Sequence, residues 1–167
     1  MYKRKLILIT GLLLVFVLVS CGTAKDSETP TSTEAHDHEH GSFEWIGQYE
    51  FKAGTYMLHF GASTDETMDI GFVKMGDNVT DLEHHASHIM VDENKEDIDQ
   101  GATFEAKPDY AYKLKMDPEH GHIHFIIAED ATYSIITEHL PSESNMQVFD
   151  ASEKEILPDS QQEVHSH

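Results

Sequence analysis

Three short stretches concentrate the side chains that could hold a metal ion. They are HDHEH at residues 36–40, HHASH at residues 84–88 and HGHIH at residues 120–124. Together they carry His36, His38, His40, His84, His85, His88, His120, His122 and His124, nine of the 13 histidines in the chain. Scattered surface histidines would not gather in this way. Asp37, Glu39, Asp81, Glu83 and Glu119 flank them, so each stretch offers the nitrogen and oxygen donors preferred by Zn²⁺, and by Cu²⁺ or Ni²⁺ as alternatives. The chain holds one cysteine, Cys21.

The spacing within each stretch points to the element that must carry it. Around His120, His122 and His124, the alternate positions are Gly121, Ile123 and Phe125, which is the period of a β-strand with one apolar and one imidazole face. A His-x-His pair on a strand projects both rings to one side, at a separation that a single ion can span. Residues 80–90, TDLEHHASHIM, instead place Leu82, Ala86, Ile89 and Met90 at helical intervals, with Thr80 and Glu83 at capping-box spacing. On that wheel Asp81, His84, His85 and His88 share the opposite sector, where His84 with His88 and Asp81 with His85 are i,i+4 neighbours. His59 falls on the polar side of a further strand and His139 ends another, which adds both to the candidate ligands.

Between residues 43 and 157 the remaining pattern is short, half-polar strands separated by Gly, Asp, Pro and Asn. FEWIGQYEF and GTYMLHF, joined by a turn at Lys52-Ala53-Gly54, read as a hairpin, and so do GHIHFIIA and ATYSIITEH around Glu129-Asp130. In that second hairpin His122 and His124 would lie near Glu138 or His139. The expected fold is mainly β, a small antiparallel sandwich or barrel of cupredoxin-like or immunoglobulin-like architecture with one short helix. Residues 22–42 and 158–167 lack periodic apolar positions and are expected to be a disordered tether and a disordered tail.

Residues 1–20 read as a targeting segment, with Lys3, Arg4 and Lys5 ahead of an apolar run. Its end, Leu18-Val19-Ser20-Cys21, resembles a bacterial lipobox. The resemblance implies cleavage before Cys21 and a lipid on its thiol, hence an extracytoplasmic protein anchored to the cell membrane. It also withdraws the only thiol from metal ligation, so that any site must use nitrogen and oxygen. Loss of residues 1–20 removes three of the 11 basic residues and none of the 31 acidic ones, taking the formal charge from −20 to −23. Such a charge disfavours nucleic acid and anionic lipid surfaces as partners and favours cations.

The combination of lipobox, His-rich tether and compact β domain resembles the surface or periplasmic metal-handling lipoproteins of bacterial zinc uptake or resistance. That resemblance implies that His36, His38 and His40 gather ions, that a folded site holds them, and that a transporter or chaperone receives them. No nucleophile elbow, zinc-protease helix motif, phosphate-cradling loop or dinucleotide fingerprint occurs in the domain, so a binding protein is expected rather than an enzyme. Two alternatives are a copper-binding cupredoxin-like lipoprotein, suggested by Met57, Met68, Met75, Met90, Met116 and Met146, and a structural or adhesive sandwich without metal.

Overall fold

Two stacked sheets enclose one aromatic core, which makes the protein a mainly β sandwich. The structure, a computed structural model, describes residues 43–165 apart from Asp77. The signal segment, Cys21 and the tether with His36, His38 and His40 lie outside the described residues. In chain order the strands are β1 (Trp45–Phe51), β2 (Gly54–Phe60), β3 (Thr67–Lys74), β4 (Glu96–Ile98), β5 (Thr103–Glu105), β6 (Tyr110–Lys115), β7 (Gly121–Ile127), β8 (Ala131–Thr137), β9 (Gln147–Phe149), β10 (Glu155–Ile156) and β11 (Ser160–Glu163). Helix α1 (Leu82–Met90) follows β3, and the single turn α2 (Pro141–Ser144) follows β8. The first sheet runs β11-β1-β8-β3-β6-β4 and the second β10-β9-β2-β7-β5. Pairing is antiparallel except at two edges, where the short β4 and β5 lie parallel to β6 and β7.

Strand alternation decides what fills the space between the sheets. Phe51, Phe60, Phe72, Phe125, Tyr112 and Tyr133 are buried there, each ring removing apolar surface worth roughly 1.5–3 kcal/mol. Phe51 touches Tyr56 at 4.6 Å and Phe125 at 5.6 Å between ring centroids, so residues from both sheets interlock. Trp45 lies over Gly47 so closely that a Cβ on residue 47 would come 2.1 Å from its indole Cη2, a contact only glycine permits. The buried Tyr112 hydroxyl donates to Glu105 O at 2.6 Å, and burial pushes its pKa up to about 12.

Both expected hairpins are arches instead. β1 belongs to the first sheet and β2 to the second, and β7 and β8 are divided in the same way. Alternation shows which face of a strand is buried but not which strand it pairs with, and an apolar face is satisfied equally by a neighbour across the core. The two arches brace each other: Ala53 N donates to Asp130 Oδ1 at 2.8 Å, and Lys52 Nζ lies 3.2 Å from Asp130 Oδ2. These contacts, the backbone N–H first, hold the Asp130 carboxyl below the ordinary range.

Two boundaries also differ from expectation. Residues 158–167, whose composition suggests a tail without structure, contribute β11, whose Ser160–Glu163 backbone pairs with β1. All four of its side chains are exposed, so no apolar alternation betrays it. Helix α1 begins one residue later than the Thr80–Glu83 spacing suggests, with Asp81 as N-cap accepting from His84 N at 3.1 Å. Its apolar face, with Ala86 and Met90 buried and Leu82 and Ile89 partly so, covers Phe43, Ile46, Val73, Ala111 and Ile136 on the outer face of the first sheet.

Candidate metal centre

The fold places the described histidines in three groups. The first occupies the open outer face of the second sheet. β2 and β7 pair so that His59 is the direct partner of His122 and Met57 the direct partner of His124. Gly101 N donates to His122 O at 2.8 Å, and His124 N donates to Ala102 O at 2.9 Å. The backbone polar groups of His122 and His124 therefore turn toward β5. The pairs with β2 are of the non-hydrogen-bonded kind, in which facing side chains approach most closely, with Cα atoms about 4.5 Å apart. The rings of His122 and His124 meet edge to face at 5.9 Å between centroids. His59 rests edge-on against Phe149 at 6.2 Å. His122 is exposed and His59 and His124 are half-buried, so their rings remain open to an arriving ion.

Three imidazoles and a thioether thus project from four neighbouring positions on two paired strands. Three histidines with an open fourth position are a ligand set that zinc accepts. His120 lies just before β7 in an exposed turn, where its N–H donates to Asp117 Oδ1 at 3.2 Å. The expected neighbours Glu138 and His139 are absent from this face. Glu138 instead accepts from Asp69 N at 2.9 Å on the first sheet.

The second group lies on α1. His84 and His88 come together as their spacing predicts, with Nε2 atoms 3.2 Å apart and rings 4.6 Å apart. Asp81 and His85 do not: Asp81 caps the helix, and His85 Nε2 turns to Asp109 Oδ1 at 2.9 Å. The helix therefore offers a two-imidazole pair rather than the four-residue cluster its wheel suggests.

The third group is at one end of the sandwich, where His139 meets two residues outside the His-rich stretches, Glu44 and Glu143. One ligand atom from each lies within 4.8 Å of the others. Glu143 could have been found as the i,i+4 neighbour of His139 once Pro141 is taken as the start of a turn of helix. Glu44 carries no local signal, because the pairing of β1 with β8 brings it there.

No family model, no curated protein and no solved structure matches the chain.

Proposed function

We propose that the chain is a membrane-anchored, extracytoplasmic metal-binding protein that gathers a divalent transition-metal ion, zinc foremost, and holds it for uptake, delivery or resistance. The observation that carries this reading is the pairing of His59 with His122, two residues from His124 along the strand, on a sheet face open to solvent. The three rings project from neighbouring positions on one sheet face, an arrangement that suits shared ligation of one ion. The His84–His88 pair on the helix, and His36, His38 and His40 of the tether, supply further, weaker gathering positions. Anchoring rests on the lipobox resemblance at Cys21, and the reading includes no catalytic role. Met57 beside His124 favours a second reading on the same face, in which the thioether joins the imidazoles around Cu⁺.

Competitive titration of the full-length protein in detergent against Zn²⁺ and Cu⁺ tests both readings. For zinc, His122→Gln with His124→Gln removes the tightly bound ion of the strand face while Met57→Leu leaves it intact, and affinity weakens toward acid pH as protons compete for the rings. For copper, Met57→Leu weakens Cu⁺ as strongly as loss of either histidine. A parental count of tightly bound zinc, with parental copper affinity, in the double histidine variant would refute the strand-face centre altogether.

A further inference from the structure

The end of the sandwich carries a group of a different chemical character, richer in carboxylate and built from three separate parts of the chain. His139 follows β8, and Thr137 Oγ1 donates to its carbonyl at 2.6 Å, fixing the backbone as it leaves the sheet. Its Nδ1 faces Glu143 Oε2 at 3.9 Å and its Nε2 faces Asp65 Oδ2 at 3.9 Å. Glu44 is tied to the same corner by its N–H, which donates to Thr137 O at 3.0 Å. Its carbonyl accepts from Val164 N at 2.8 Å, and this bond draws the chain beyond β11 across the corner. The next residue, His165, lines a cleft of about 250 Å³ together with Glu44, Leu140, Glu143 and Val164.

We infer that Glu44, His139 and Glu143 form a second divalent-cation site, distinct from the strand-face imidazoles, and that His165 closes it as the fourth ligand. Two carboxylates held within 4.8 Å of each other repel unless a cation lies between them. Among the described residues neither Glu44 nor Glu143 is paired with a lysine or arginine. A divalent ion neutralises both charges. Two imidazoles and two carboxylate oxygens make a closed four-coordinate set suited to zinc. With the ion on Nδ1, the opposite ring nitrogen of His139 is directed at Asp65, the outer-shell arrangement that orients a ligating histidine. Such a site also staples the segment after β11 to the start of β1. Zinc bound there is structural in effect, whereas zinc on the open sheet face is exchangeable.

The site is tested by Zn²⁺ titration of the full-length protein against a competing chelator, with thermal unfolding and proteolysis of the C-terminal segment as parallel readouts. Glu143→Gln, an exposed position whose change leaves the core intact, should remove one tightly bound zinc and abolish zinc-dependent protection of the segment after β11. His165→Ala should weaken the same zinc about tenfold or more, on the scale that ligand-shell losses produce, without altering the count at saturation. The His122→Gln/His124→Gln background separates this site from the one proposed above: the end site should still bind its zinc there. If that background binds no tight zinc, the second site is refuted while the strand-face reading stands. Parental zinc count and protection in Glu143→Gln would refute it as well, and parental affinity in His165→Ala would remove the fourth ligand from the assignment.

Discussion

The outer faces of the two sheets follow opposite solutions to the same problem. On the first sheet Ile46, Val73, Ala111 and Ile136 point outward, and α1 covers them with Ala86 and Met90. On the second, Met57, His59, His122 and His124 point outward, and among the described residues no helix covers them. An apolar face in water must find a lid, because each buried methylene is worth roughly 0.8 kcal/mol. A face of imidazoles has no such requirement and remains accessible to solutes. One sheet face therefore contributes to stability, its counterpart carries the proposed binding site, and the chain writes that division in the residue types at alternate strand positions.

The largest test of this division compares a methyl-rich side chain on one face with two rings on the other. Ile136 is fully buried beneath α1. Ile136→Ala should cost about 2–5 kcal/mol in metal-free denaturant unfolding. His122→Gln with His124→Gln should stay within about 0.5 kcal/mol under the same conditions, since neither ring fills the core. A comparable loss in the two variants would break the comparison, because it would make the imidazole row part of the packing.

Closeness of approach supplies a smaller test. Gly71 on β3 lies under α1, and a Cβ there would stand 2.9 Å from Ile89 Cδ1 and 3.1 Å from Met90 Sδ. Gly71→Ala should push the helix away and cost about 1–3 kcal/mol, as overpacking does. Hydrogen exchange should show the loss first in the amides of α1. Uniform loss across both sheets, with α1 no more exposed than the rest, would mean that the lid is not a separately docked element.

How much of this was legible beforehand depends on the range of the interaction. The strand faces of β2 and β7 and the apolar stripe of α1 were readable, because period and side-chain type are local. The partnership of His59 with His122 was not, since register between strands more than 60 residues apart leaves no trace in either segment. The arches were misread as hairpins for a related reason: Lys52-Ala53-Gly54 marks a reversal but not the sheet to which the chain returns. β11 was invisible because its four exposed side chains carry no apolar alternation and backbone pairing joins it to β1. Glu44 belongs with His139 only through the alignment of Trp45 with Thr137. The ligand types of the candidate sites were thus visible, and their assembly was not.

The smallest effect expected concerns the role of an acidic residue on the covered side. By spacing alone, Asp81 is a candidate ligand with His85, but its Oδ1 accepts from His84 N at 3.1 Å and His85 is turned to Asp109. An N-cap is worth about 1 kcal/mol, because it satisfies a backbone donor that the first turn of the helix leaves without a partner. Asp81→Ala should therefore lower stability by about 1 kcal/mol, and by the same amount with zinc present or absent. Asp81→Asn, which keeps a capping oxygen while removing the charge, should restore most of that loss. A ligand would behave differently: both substitutions would weaken zinc binding, and the stability gained on adding zinc would shrink with them. If zinc affinity falls in Asp81→Asn while metal-free stability holds, the helix face binds metal after all, and the division between a covered structural face and an open binding face fails at that residue.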